Sequence, residues 1–291
     1  MNATLPDPVS SSTSAGGCAG CGERGGGEAR FSQPIRMAFQ PIVDRTGRVF
    51  AQEALVRGVG GEGAGFVLSQ VTDRNRYAFD QLCRMTAIRR AAELGLAGSG
   101  ALLSINFSPN AIYEPARCIS SSLAAARRHG LPNEALMFEV TEQEQLDDPA
   151  HLRRILTAYR ALGFKVALDD FGAGYANFDI LADITPDIVK LDMKLVRGLD
   201  GDRARRLIVS GIARMLDSLG VTMIAEGIET PDEYRALSDL GVRLFQGFLF
   251  ARPTLDAFAA VSMPAPDDTR ESLVAPPTAT ERANAPALVD A

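Results

Sequence analysis

Between residues 102 and 246 the chain repeats one unit: a short apolar run closed by a polar residue, then a stretch of helical periodicity, then the next run. The runs occupy residues 102–107, 136–140, 166–168, 187–191, 221–225 and 242–246. Apolar runs of this length read as strands buried on both faces, and parallel strands need a crossover helix between them. Helical periodicity spans about 65–94, 110–128, 149–162, 203–219 and 231–240, with Gly163, Gly220 and Gly241 supplying stops. Two further strands, 36–42 and 49–56, precede the series and are joined by the turn at Asp44 to Gly47. A connection that short reverses the chain, so these two are antiparallel if they pair. Eight strands in roughly 230 residues have the rhythm of an α/β fold, a TIM-like (β/α)8 barrel with one antiparallel strand.

The ends of the chain differ from this middle. Residues 1–30 are rich in Gly, Ser and Ala and read as a flexible tail; 31–262 form the barrel; 263–291 are rich in Ala, Pro, Asp and Thr and read as a second tail. The first tail carries Cys18 and Cys21 in a Cys-x-x-Cys spacing. Two readings stand for it, a pair of reduced thiols or a regulatory metal or redox site, because a structural zinc centre needs a second pair and Cys83 and Cys118 are single and distant. Cys83 reads as a core filler.

No apolar stretch is long enough to span a bilayer and the N-terminus lacks a basic-then-apolar leader, which makes the cytoplasm the expected compartment with no membrane partner. A formal charge of −6 argues against binding a nucleic-acid polymer. Of the two histidines, His129 and His151, neither lies near a strand end, so chemistry would run on carboxylates.

A (β/α)8 barrel would bring such carboxylates together. Such barrels keep their chemistry at the C-terminal ends of the strands, where this sequence places Glu53, Asn106, Glu139, Asp169 with Asp170, Lys190, Glu226 and Gln246. Taken singly each has a plain account: a solvated lysine, a turn-forming asparagine, a helix-capping glutamate, an exposed acidic turn. Together, carboxylates converging on one partly desolvated rim repel strongly unless cations are present. All-oxygen ligands select hard ions, Mg²⁺, Mn²⁺ or Ca²⁺. A cluster of this size suits two ions with Asp169 between them, an arrangement that clamps a phosphodiester for in-line attack by water.

The motifs that carry these residues resemble the EAL family of cyclic di-GMP phosphodiesterases. The likeness runs from Phe39 to Pro253 through FQPI at 39–42, EALVRG at 53–58, INFSP at 105–109, FEVTE at 138–142, DDFGAGY at 169–175, KLD at 190–192, AEGIE at 225–229 and QGFLFARP at 246–253. It implies hydrolysis of cyclic di-GMP to linear pGpG with two Mg²⁺ or Mn²⁺ ions. Glu53, Asn106, Glu139, Asp169, Asp170 and Glu226 would be metal ligands, with Glu226 and Lys190 acting on the attacking water. Gln246 would join the same shell, and Glu142 would tether the glycine loop after Asp170 that couples metal binding to homodimer formation. Substrate contacts would come from Gln40, Leu55, Arg57, Asn106, Asp192, Gln246 and Pro253. The chain departs from the family pattern at Ala173, Ala176 and Phe248, where Thr, Ser and Tyr are usual. Two rival readings keep the fold: a catalytically silent domain that binds cyclic di-GMP or a protein, and a phosphodiesterase for a different substrate.

Overall fold

The computed structural model describes residues 30–112, 114–141, 149–173 and 178–265. β1 (Ile35–Asp44) and β2 (Val49–Gly58) form the antiparallel hairpin that their short turn demands, with Gly47 at φ 81°. β3 (Leu102–Asn106), β4 (Leu136–Thr141), β5 (Lys165–Phe171), β6 (Ile188–Leu191), β7 (Thr222–Ala225) and β8 (Leu244–Phe245) follow in sheet order, each parallel to the one before. β2 pairs in parallel with β3, and β1 pairs antiparallel with both β2 and β8, which closes an eight-stranded barrel with one reversed strand. β9 (Thr254–Leu255) adds to β1 from outside.

The helices are α1 (Ala64–Leu68), α2 (Arg76–Glu93), α3 (Pro115–Cys118), α4 (Ser120–Arg128), α5 (Pro149–Ala161), α6 (Phe178–Ile184), α7 (Met193–Val196), α8 (Arg203–Ser218) and α9 (Pro231–Asp239). Two of the expected helices are broken. The stretch at 65–94 divides because Asn75 accepts from the Thr72 N–H (2.7 Å) and donates to the Gln70 carbonyl (3.1 Å), a side-chain turn that ends one helix and precedes the next. The stretch at 110–128 begins as a single 3₁₀ turn at Pro109–Ala111 and restarts at Pro115, whose ring sets a helix start and disfavours helix at the residue before it. α9 starts at a capping box between Thr230 and Glu233.

Alternation along the strands sorts the core into two layers. Phe39, Leu103, Ile105, Phe138, Val166, Leu168, Val189 and Phe245 belong to the large apolar core shared with the helices, whereas Ile42, Ala51, Met137, Ala167, Ile188, Ile224 and Leu244 form a separate cluster that fills the barrel. Two residues further toward the C-terminal rim, side chains on the same inward face are Glu53, Glu139, Asp169, Lys190, Glu226 and Gln246, with Ser104 on β3. β1 runs the other way, so its equivalent is Gln40, opposite Glu53 in the hairpin register. One period of the pleat therefore lifts an apolar plug into a polar layer on all eight strands. Cys83 packs against the main core, and Cys118 is fully buried within it. No helix among the described residues is long and apolar enough to cross a membrane.

Candidate active site

Lys190 is the centre of the polar layer. Its side chain is almost wholly buried and its Nζ lies 2.7 Å from Glu226 Oε1, 3.0 Å from Glu139 Oε2, 3.1 Å from Asp169 Oδ1 and 3.7 Å from Glu53 Oε1. Burial alone would lower the lysine pKa, but the four carboxylates outweigh it and hold the ammonium charged well above its ordinary range. One positive charge does not balance four acids. Burial and Asp169 push Glu226 well up; for Glu139 burial pushes up, Lys190 pulls back, and Glu53 and Asp169 push further, with a balance at about 8. This layer holds protons or further cations to remain closed.

The remaining polar groups hold these acids in place. Glu53 accepts from Gln246 Nε2 at 2.6 Å and from Asn106 Nδ2 at 3.2 Å; Gln246 Nε2 also reaches Gln40 Oε1 at 3.3 Å, and Gln40 donates to the Ala251 carbonyl at 3.0 Å. Glu139 accepts from the Ser104 hydroxyl. The loop after β7 is fixed by Glu233, which accepts from the N–H groups of Gly198, Glu229 and Thr230. Ser104, Glu233 and the Ala251 carbonyl escaped sequence reasoning. Ser104 had a signal, since it lies one strand period before Asn106 on the same face; the other two had none.

Asp170 stands apart in conformation. It adopts φ 58°, unusual for a residue with a side chain, where the β5–β6 register breaks between Leu168 and Phe171. Its N–H donates to Asp169 Oδ1 at 3.0 Å, and burial with Asp169 and Asp192 pushes its carboxyl up to about 6. The bulge turns two consecutive carboxyls toward one space.

Carboxylate oxygens of Glu53, Glu139 and Asp169 lie within 4.8 Å of one another, as do those of Asp169, Asp170 and Glu226. Asp169 belongs to both triads. Gln246 Oε1 is buried with no hydrogen-bond partner among the described residues, an acceptor left over at the same place. The donor set is all oxygen, and its excess negative charge and spare acceptor fit hard divalent cations.

A cavity of about 220 Å³ opens over these groups, lined by Gln40, Glu53, Leu55, Asp170, Asp192, Glu226 and Gln246 together with Met193, Gly227, Glu229, Gly247 and Phe248. Arg57 lies four residues beyond Glu53 on the same face of β2, half-buried, does not line the cavity, and donates to its neighbour's carbonyl at Val56. Pro253 is half-buried beside β9 and does not line the cavity. β2 continues to Gly58 under the β1 pairing, so Glu53 sits mid-strand and not at the strand end that its sequence position suggests. Glu142, Cys18 and Cys21 lie outside the described residues. A larger cavity, about 590 Å³, opens at the other end of the barrel between Arg48, Phe50, Lys165 and Asp187 and contains none of the expected site residues.

A family model described as EAL domain matches residues 28–253. The chain is 30% identical over 229 residues to "Cyclic di-GMP phosphodiesterase PA2567" of Pseudomonas aeruginosa, covering 76% of this chain and 38% of that protein. It is 29% identical over 228 residues to "Blue light- and temperature-regulated antirepressor BluF" of Escherichia coli, covering 78% of this chain and 56% of that protein. The chain thus spans between about a third and somewhat over half of the length of these relatives. Among solved structures, a standalone EAL protein from Vibrio cholerae in its c-di-GMP-bound form is 46% identical with a TM-score of 0.76, covering 79% of this chain and 97% of that one. BlrP1 of Klebsiella pneumoniae in a manganese and cyclic di-GMP complex is 35% identical with a TM-score of 0.73, covering 77% of this chain and 57% of that one.

Proposed function

The chain belongs to the EAL domain family, and on that premise we propose that it is a metal-dependent phosphodiesterase that hydrolyses cyclic di-GMP to linear pGpG. The observation that carries the reading is the pair of carboxylate triads sharing Asp169 inside the barrel, on the residues that the family motifs supply. Glu53, Glu139 and Asp169, with Asn106 beside them, would hold one ion; Asp169, Asp170 and Glu226 would hold the other. Mg²⁺ or Mn²⁺ bound there would supply Lewis-acid polarisation of the phosphodiester and lower the pKa of an attacking water.

The protein's own groups do the remaining work. Lys190, held charged, orients the water and neutralises acid charge as the ester opens, and Glu226 takes its proton. Gln246 and Gln40 fix Glu53 at the cavity wall, Leu55 and Asp192 line the substrate surface with Pro253 outside it, and Arg57, beyond Glu53 on β2, meets substrate phosphate. The catalytic unit spans 31–262, with 1–30 and 263–291 outside it. The chain acts as a homodimer.

A second reading has its own support, since BluF, at 29% identity, is named an antirepressor. In that reading the domain binds cyclic di-GMP or a protein without turnover. The discriminating experiment incubates the purified chain with Mn²⁺ or Mg²⁺ and cyclic di-GMP, cyclic di-AMP or a chromogenic phosphodiester. Release of pGpG from cyclic di-GMP, lost on chelation, is expected. Binding without product favours the silent reading, and turnover of another ester in preference changes the substrate.

A further inference from the structure

Behind the carboxylate layer, on the outer side of the barrel wall, lies a second set of buried charges. Asp80 and Arg84 stand one turn apart on α2 and form an ion pair of 2.7 Å with both side chains buried. Arg84 Nη1 donates to the Tyr159 hydroxyl of α5 at 2.9 Å, and its guanidinium carbon lies 5.4 Å from the Phe107 ring centre and 5.5 Å from that of Phe138. A buried ion pair is costly to desolvate and is weak evidence of stabilisation in itself. What this pair touches gives it a different meaning.

Phe107 and Phe138 directly adjoin Asn106 and Glu139 in sequence, so the pleat that sends Asn106 and Glu139 into the barrel sends the two rings out against Arg84. Asp80 Oδ1 accepts from the Ser108 N–H at 3.1 Å, two residues past Asn106, where the chain has left β3. The Phe107 N–H in turn donates to the Glu139 carbonyl at 3.0 Å. The end of β3 is therefore gripped from the helix side by one carboxylate, and Arg84 spans the backs of two adjacent site strands.

We propose that Asp80, with Arg84 as its counter-charge, is a positioning residue: it holds the backbone just after Asn106 so that the Asn106 side chain, already 3.2 Å from Glu53, meets a metal ion together with Glu53 and Glu139. This rests on the metal-dependent reading above. Groups that orient metal ligands from behind typically carry about 10- to 100-fold in metal affinity.

The test measures Mn²⁺ binding to the full chain by calorimetry, without substrate. Asp80→Leu with Arg84→Met removes the pair and the acceptor; Asp80→Asn with Arg84→Met removes the same charges but leaves a carbonyl for the Ser108 N–H. The first double variant is expected to weaken Mn²⁺ binding about tenfold, and the second to recover to within about threefold of the unaltered chain at a similar melting temperature. Equal affinities in the two double variants overturn the proposal.

Should the leucine variant not fold, amide exchange in the unaltered chain decides. Coupling is reciprocal, so saturating Mn²⁺ should slow exchange of the Ser108 amide at least about fivefold beyond its effect on the Val166 amide. Equal effects on the two amides overturn the proposal. A chain that binds no Mn²⁺ at all overturns this proposal together with the metal-dependent reading, whereas Mn²⁺ binding without such coupling overturns this proposal alone.

Discussion

Lys190 Nζ lies 2.7 Å from Glu226 Oε1 in a layer where three further acids also come within 4 Å of the same ammonium. The lysine is thus a resident cation that any incoming divalent ion must share charge with. Replacing it by methionine, of similar length, leaves the four acids without their counter-charge. The Kd for Mn²⁺ should fall about tenfold, because the Coulomb attraction for the ion is no longer opposed. Hydrolysis should nevertheless fall by about 10²- to 10⁴-fold, as expected when a group acting on the attacking water is lost. Calorimetry and a pGpG assay on Lys190→Met read both numbers; weaker binding together with weaker turnover would reduce Lys190 to a structural counter-ion.

Asp169 belongs to both carboxylate triads, and no other residue does. Asp169→Asn keeps the shape and removes the shared charge, so hydrolysis should drop on the order of 10³-fold or more, since each ion is worth several kcal/mol to the barrier. Glu53→Gln should also fail, as Gln246 and Asn106 already point donors at Glu53 and a new amide would set N–H against N–H. Near-normal turnover by either variant would sink the two-ion assignment.

Most of this layer was legible because strands repeat every two residues. Ala51 to Glu53, Met137 to Glu139, Ala167 to Asp169 and Ile188 to Lys190 are the same step from plug to site, taken on successive strands. What could not be read depends on contacts between distant segments. β2 outruns Glu53 because β1 pairs with it as far as Gly58; Asp170 turns through a bulge that its neighbours in sequence do not announce; Asn75 breaks a helix through its side chain. The Asp80–Arg84 pair was hidden because a helix with ordinary periodicity gives no sign of which charges it buries.

Glu139 gives the site a pH signature. Its folded-state pKa, about 8, stands above the ordinary carboxylate value of 4.5, so the folded chain binds more protons than the unfolded chain between the two. Stability of the metal-free protein therefore falls as pH rises from about 4.5 to 8, with the full penalty above that range. Ion binding requires the deprotonated acid, so affinity for Mn²⁺ rises over the same interval. Melting curves at pH 5.5 and 8 with chelator and with Mn²⁺ should show a metal-induced rise that is larger at pH 8, by about 5 °C or more. A metal-induced rise that shrinks with pH would place the proton elsewhere.

Gly247 lies where the chain leaves Gln246 and passes against the loop after β7. A Cβ built there would stand 2.0 Å from the Ile228 carbonyl oxygen and 2.4 Å from the Ile228 nitrogen, both backbone atoms that cannot swing aside. The same two groups are in use: the Ile228 N–H donates to the Gln246 carbonyl at 3.1 Å, and the Leu249 N–H donates to the Ile228 carbonyl at 3.0 Å. Gly247→Ala must therefore part the loop that carries Glu226 from the segment that carries Gln246, and with it loosen the 2.6 Å hold on Glu53. The loss should appear both in stability, by about 1–3 kcal/mol as for overpacking elsewhere, and in hydrolysis, by about tenfold or more because a shift near 1 Å at a site is felt strongly in rate. Gly211→Ala provides the control: that glycine lies inside α8 with open space around its Cβ position, so alanine there should stabilise by up to about 1 kcal/mol and leave hydrolysis unchanged. Normal turnover by Gly247→Ala would mean that Gln246 does not hold Glu53 during the reaction.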